Sequence, residues 1–396
     1  MAAILSYKTA VSTILLYIFL VWVWRAFWIS KLRKLNPPLE PVRLPGPSTP
    51  KVSVIVPARN EEKNISNCLE SLLKQTYAHY EIIVVDDRST DKTPEILKDV
   101  QASRMPGDIP SLKIVRIEKL PEGWTGKNYA MFTGSKAATG RYFLFTDADT
   151  THTSESLQTA VTTALTQNID LLTLVPETES KSFWEKTVQP LAVSSLTLWF
   201  HPEKTNDPKS GVVFANGQFI LVSREAYEKV GGNEAVKNEV VEDVALAKKL
   251  KEACFTVKFL DGTLIYSTRM YSSLKEINVG WTRIFTYLFN KNVPAILHKI
   301  FLFLLFSILP FVVCGLEKYF YFTHSAHFDK TILLLSAAVS GIIVLVRFIG
   351  NKMLRSNPWY AFLHPLGSLM MIWILSVCVT RIALRRPSVW RGQYHK

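Results

Sequence analysis

Asp147-Ala148-Asp149 closes the apolar run Tyr142-Phe143-Leu144-Phe145-Thr146. Two carboxylates one residue apart, at the carboxyl end of a buried strand, can hold a hard divalent cation against a diphosphate. Mg²⁺ and similar ions bind through one or two carboxylates plus substrate phosphates. A lone Asp-x-Asp also caps helices and makes turns, so its partners give it meaning. Those partners are Asp86-Asp87, after another apolar run, and Glu242-Asp243, before Val244-Ala245-Leu246-Ala247. Asp243 is a general-base candidate, because a carboxylate within reach of a hydroxyl proton can remove it and partial burial raises its pKa usefully. Helix capping is the competing use of the same residue. Lys127 follows Gly126 at an expected helix start, where a cation and free backbone N–H groups suit a phosphate.

A frame must hold these groups. Residues 52–56, 81–85, 113–117 and 142–145 read as short apolar strands. Between them, Ile65, Leu69, Leu72 and Leu73 have helical spacing, a second helix begins near Thr93-Pro94, and residues 126–139 read as a third. Continuous apolar strands separated by helices predict an α/β fold with a parallel sheet covered on both faces. In such sheets ligands bind at the carboxyl ends of the strands. Here those ends carry Pro57-Ala58-Arg59-Asn60-Glu61, Asp86-Asp87-Arg88-Ser89 and Asp147-Ala148-Asp149. No Gly-x-Gly-x-x-Gly follows the first strand and no Gly-x-x-x-x-Gly-Lys-Ser/Thr loop occurs, so an acidic, metal-dependent nucleotide-sugar site is expected instead.

The chain has 46 basic and 33 acidic residues, a net charge of +13. Apolar stretches sit beside the basic clusters, which favours a membrane surface over nucleic acid. Residues 9–30 are expected to be an uncleaved anchor with Arg25 snorkelling to the interface, and residues 31–50 a proline-rich linker (Pro37, Pro38, Pro41, Pro45, Pro47, Pro50). Lys31, Arg33 and Lys34 place the following domain, residues 51–290, in the cytoplasm by the positive-inside rule. Residues 297–381 hold three further apolar segments (300–316, 331–346 and 356–380), with Arg347, Lys352 and Arg355 in a basic loop, before a basic tail at 382–396. A third full crossing would put Arg381, Arg385, Arg386 and Arg391 outside, against the charge rule, so the last segment is either re-entrant, interfacial or an exception. Cys68, Cys254, Cys314 and Cys378 lack metal-type spacing and read as buried, reduced thiols.

The ordered motifs Val-Pro-Ala-Arg-Asn-Glu (56–61), Val-Val-Asp-Asp-Arg-Ser-Thr-Asp (84–91), Asp-Ala-Asp (147–149) and Val-Glu-Asp (241–243) resemble glycosyltransferase family 2 over residues 50–290. Gly-Trp-Thr-Gly-Lys-Asn (123–128), Gly-Trp-Thr-Arg (280–283) and Trp-Arg-Gly-Gln-Tyr (390–394) resemble its membrane-anchored, lipid-modifying members, the hopene-associated and carotenoid glycosyltransferases. The resemblance implies a GT-A (Rossmann-like) domain flanked by transmembrane helices, a nucleotide-diphosphate sugar donor, a divalent metal (Mg²⁺ or Mn²⁺) and inversion at the anomeric carbon. It implies a nucleotide pocket lined by Pro57, Asn60, Glu61, Asp86 and Asp87, with Lys127 and Arg283 toward the diphosphate. Asp149 would bind the metal, Asp147 the donor or metal, and Asp243 would be the base, oriented by Glu242. Asn216, Gly217, Gln218 and Trp281 flank the acceptor side. The processive-synthase pattern Gln-x-x-Arg-Trp is missing around Trp281 and Arg283.

The expected protein is therefore a multi-pass inner-membrane hexosyltransferase using a UDP-hexose and a membrane lipid acceptor such as a hopanoid or carotenoid, with no nucleic-acid partner. Polyprenyl phosphate or a polysaccharide is the alternative acceptor. A transporter or scaffold carrying an inactive transferase domain is the competing class.

Overall fold

The computed structural model describes residues 2–42, 49–105, 107–385, 388–390 and 393–395. Pro45 and Pro47 of the expected linker, and Arg386, Arg391 and Gly392 of the tail, lie outside the described residues.

A long helix, α1 (Ala2–Leu35), leads into the domain. There β1 (Val52–Ala58), α2 (Ile65–Leu73), β2 (Tyr80–Asp87), α3 (Thr93–Ala102), β3 (Ser111–Ile117), α4 (Gly126–Ala137) and β4 (Tyr142–Thr146) alternate. Next come β5 (Thr150–His152), α5 (Ser156–Thr166), β6 (Leu171–Val175), β7 (Glu177–Thr178), α6 (Phe183–Phe200), β8 (Phe219–Ser223), α7 (Arg224–Lys229), α8 (Glu242–Glu252), β9 (Val257–Asp261), β10 (Tyr266–Thr268) and α9 (Leu274–Leu288). The chain continues through α10 (Val293–Phe303), a π-helical turn (Leu304–Ile308), α11 (Leu309–Phe322), α12 (Lys330–Met353), a 3₁₀ turn (Pro358–Leu363) and α13 (His364–Ala383). A terminal hairpin pairs β11 (Ser388–Trp390) with β12 (Gln393–His395).

The main sheet has seven strands in the order β3-β2-β1-β4-β8-β6-β9. β1 to β4 are parallel, as their unbroken apolar runs predict, because both faces are covered. The sheet as a whole is mixed: β8 inserts antiparallel between β4 and β6. One face packs on α2, α3 and α5 and the other on α4, α7 and α8, each over its own apolar core. α4 lies hard against the sheet at Gly134, where a Cβ would fall 2.4 Å from Ile55 Cγ2. That close approach fixes the height of Lys127 above the strand ends.

Four described helices are long and apolar enough to cross a membrane: Tyr7–Leu35, Val293–Phe322, Lys330–Met353 and Pro358–Ala383. They divide between two cores. α1, α11 and α12 share one, with Leu15, Ile18, Ile332, Val339 and Ile343 at its centre. α13 belongs to the other: Met371, Ile374, Leu375 and Cys378 pack with Val188 and Leu191 of α6, Ile277, Trp281 and Phe285 of α9, and Ile296 of α10. Two expectations are corrected here. Arg347 is not in a loop; it lies within α12 and is 5% exposed. Of the four free cysteines, Cys68 and Cys378 are buried, but Cys254 is exposed in the left-handed turn between α8 and β9.

Candidate active site

The carboxyl ends of β1, β2 and β4 converge as the parallel sheet requires. The Asp147–Asp149 loop is braced from behind. Thr150 Oγ1 donates to the Asp147 carbonyl at 2.7 Å, and His152 sits between Thr146, Thr150 and Ser156 while stacking on Tyr266. Burial pushes the His152 imidazole down to about 3, so it serves as a neutral prop.

Lys127 joins the two acidic motifs. Its Nζ lies 2.7 Å from Asp147 Oδ1 and 3.1 Å from Glu242 Oε1. Burial works against the ammonium, but Asp147 and Glu242 together outweigh it and hold the lysine above its ordinary range. Asp243 caps the site from α8: Oδ1 accepts from its neighbour Val244 N–H at 2.8 Å, and Oδ2 from Gly217 N–H at 2.6 Å. Burial, and then Glu242 beside it, raise its pKa well above the ordinary carboxylate range. Asp149 is raised likewise, by burial first and by Asp147 second. Asp149 Oδ1 is buried with no hydrogen-bond partner. Among the described residues no group of three or more His, Cys, Asp or Glu forms a metal cage by itself. Two carboxylates, one with an orphaned oxygen, are nonetheless a set that Mg²⁺ or Mn²⁺ accepts once phosphate oxygens complete it.

Most of the predicted site residues line one cavity of about 340 Å³: Pro57, Glu61, Asp87, Lys127, Asp147, Asp149, Asn216, Gly217, Gln218, Glu242, Asp243, Trp281 and Arg283. Asn60 and Asp86 are not in its lining. Asn60 Oδ1 accepts from Thr90 N–H, its own N–H donates to Ser89 Oγ, and Asp86 Oδ1 accepts from Ser89 N–H. Asn60 ties the β1 loop to the β2 loop, and Asp86 braces the β2 loop from within. Trp281 reaches the wall while its indole N–H donates to Gln189 at 2.7 Å, which locks α9 to α6.

The structure also adds wall residues that the sequence reading missed. Arg59 lies 3.5 Å from Asp87 Oδ2 in the cavity wall. At the other end the cavity becomes apolar, between Val193 and Leu196 of α6 and Ile284 and Leu288 of α9, with Phe214 and Met270. The i, i+3 spacing of Val193 and Leu196 and the i, i+4 spacing of Ile284 and Leu288 were readable signals; that both helices face one cavity was not.

Gly217 sits where these groups crowd together. A Cβ there would lie 3.0 Å from Lys127 Nζ and 3.1 Å from Asp243 Oδ2. Gly217→Ala is therefore expected to displace both groups and lower kcat/KM by roughly tenfold to a hundredfold. Its melting temperature should change little, since the lysine end is flexible. Steady-state kinetics beside a thermal melt check this, and unchanged kcat/KM would show that the contact is slack.

The sequence profile described as "Glycosyl transferase family 2" matches residues 53–231. That match places a glycosyltransferase domain on residues 53–231. Two curated relatives align over a longer stretch than that match. Over 269 residues it is 26% identical to the 4,4'-diaponeurosporenoate glycosyltransferase of Staphylococcus haemolyticus, covering 67% of this chain and 69% of that one. Over 279 residues it is 26% identical to the enzyme of the same name from Staphylococcus aureus, covering 68% and 70%. Among solved structures, the mannosyltransferase PcManGT from Pyrobaculum calidifontis, in complex with GDP-Man and Mn²⁺, superposes with a TM-score of 0.51 at 18% identity, covering 95% of this chain and 99% of that one. At that identity the likeness shows the GT-A fold, and the glycosyltransferase shares it.

Proposed function

We propose that this glycosyltransferase moves a hexose from a nucleotide-diphosphate sugar to a hydroxyl or carboxyl group of a membrane lipid, with inversion at the anomeric carbon. The observation that carries the reading is the cavity itself. One end holds Asp147, Asp149, Lys127 and Asp243; the other is an apolar slot between α6 and α9, helices that pack on α13. A donor with phosphates suits the first end and a lipid suits the second. The relatives' name supports this, since it gives 4,4'-diaponeurosporenoate as what they glycosylate. The GDP-Man and Mn²⁺ held by the solved mannosyltransferase support a nucleotide-diphosphate sugar and a divalent cation. UDP-hexose is the donor to try first.

In this reading Asp87 and Glu61 receive the nucleoside, and Lys127 and Arg283 the diphosphate. Asp149 and Asp147 would hold a Mg²⁺ or Mn²⁺ ion, which when bound offsets charge on the leaving diphosphate. Asp243, fixed by the Gly217 and Val244 N–H groups, takes the proton of an acceptor hydroxyl as its oxygen attacks the sugar carbon in line, and Glu242 keeps Lys127 beside it. A base must be ionised to act, and the Asp243 pKa is raised. Transfer to a hydroxyl should therefore climb with pH and level off only well above the ordinary aspartate value of about 3.9. A pH profile of kcat/KM that is already flat from pH 5 upward would remove Asp243 as the titrating base.

The membrane arrangement follows the two cores. α1, α11 and α12 cross the inner membrane, with Lys8 paired to Asp329 on the far side at 3.1 Å. α13 lies at the cytoplasmic face on α6, α9 and α10, which keeps Arg381 and Arg385 on the same side as Lys31 and Arg33. The experiment that tests the function compares lipid extracts, by mass spectrometry, from cells carrying the intact gene or Asp149→Ala. A hexosylated lipid missing from the variant is expected. Identical lipid profiles would move the acceptor to polyprenyl phosphate or a polymer.

A further inference from the structure

Where the membrane bundle meets the catalytic domain, the interior is cationic and unsatisfied. Arg347 of α12 is 5% exposed, and its Nε and Nη1 have no hydrogen-bond partner; Nη2 makes a long contact, 3.4 Å, with the Thr187 carbonyl of α6. His364, the first residue of α13, is 2% exposed and neither ring nitrogen has a partner. Trp22 of α1 and Phe311 of α11 hold its ring at 5.8 and 6.1 Å between centroids. Arg25 of α1 lies over Trp22 and Phe306, partly exposed at the edge of the cluster. Trp22 is itself fixed, its indole N–H donating to the Phe306 carbonyl in the π-helical turn. The acid nearest along α6, Glu185, is already bound by Arg269.

Burying a guanidinium without a counter-charge costs several kcal/mol, so these unsatisfied donors imply an anion. Guanidinium forks match phosphate oxygens. The depth is also informative. Trp28, one turn further along α1, touches His201 of the catalytic domain, so Arg25 sits near the level where lipid headgroups begin. Beside it, Leu20, Trp24 and Phe27 expose apolar surface fit for acyl chains.

We propose that Arg25, Arg347 and His364 form a phosphate-binding site at the membrane surface that takes the phosphodiester headgroup of an anionic phospholipid. The site is separate from the sugar-transfer cavity, which none of the three residues lines. It ties α1, α12 and α13 together through one headgroup, so the lipid is a structural ligand of the junction between bundle and domain. Basic pockets between membrane helices recognise headgroups in this way.

The test uses the full chain in mild detergent, with native mass spectrometry after addition of phosphatidylglycerol, phosphatidylcholine or inorganic phosphate. Wild type is expected to retain phosphatidylglycerol at least about tenfold better than the zwitterionic lipid, and Arg347→Met to lose that preference. Arg25→Met, at the partly exposed edge, provides a second variant should Arg347→Met not fold, and is expected to weaken the same retention. Retention of inorganic phosphate, lost in the same variants, would keep the anion site and assign it to the free ion. Equal retention of phosphatidylglycerol by wild type and a folded variant overturns the proposal. The readout is lipid retention, so it stands or falls apart from sugar transfer.

Discussion

Asp243→Asn is expected to lower kcat on a hydroxyl acceptor by about a thousandfold while leaving donor affinity within about twofold. The amide keeps the size of the carboxylate, and its oxygen can still accept from Gly217 N–H, so the wall of the cavity survives. What disappears is the site for the acceptor proton. The same variant also reports on acceptor chemistry. A carboxylate acceptor arrives without a proton, and with such a lipid the loss should stay within about tenfold. Parallel assays with a hydroxyl lipid and a carboxylate lipid read this directly. Full turnover of the hydroxyl acceptor by Asp243→Asn would remove the base assignment.

Asp149→Ala should weaken donor binding about a hundredfold and erase its dependence on added Mn²⁺, since the change deletes the buried oxygen that has no partner within the protein. Loss of folding does not explain such a result in advance. An ionised carboxylate buried beside Asp147 is costly, so removing it should leave the melting temperature unchanged or higher. Equilibrium binding of UDP-hexose, with and without a chelator, checks the first part and a thermal melt the second. Equal donor affinity in wild type and variant would sink the metal assignment.

The first half of the domain was legible in the sequence for a physical reason. β1, β2 and β4 are covered on both faces, so each reads as a continuous apolar run, and the acids at their ends mark the open edge of the sheet. β8 was not legible as a neighbour of β4. Its residues, Phe219 to Ser223, are apolar enough for any strand, and its antiparallel insertion is decided by the long connection through α6. Asn60 and Asp86 show the limit of motif reading. They sit in the right loops but outside the cavity lining, where the Thr90 N–H engages Asn60 Oδ1 and the Ser89 N–H engages Asp86 Oδ1. Arg347 shows the limit of hydropathy reading: a charge ended the apparent span in the sequence, whereas the helix continues and buries it.

The sequence by itself determined which segments are apolar, where the carboxylates fall along the chain, and that a domain with acidic strand ends would lie between long apolar segments. Those are properties of single segments, set by local composition and period. Tertiary structure alone decided that Lys127 would bridge Asp147 to Glu242, that α6 and α9 would line one slot beside the acids, and that α13 would pack on α6, α9 and α10. An apolar face states that it must be buried but not against what. The partner is chosen by the packing of elements far apart in the chain, and the chemistry depends on that choice.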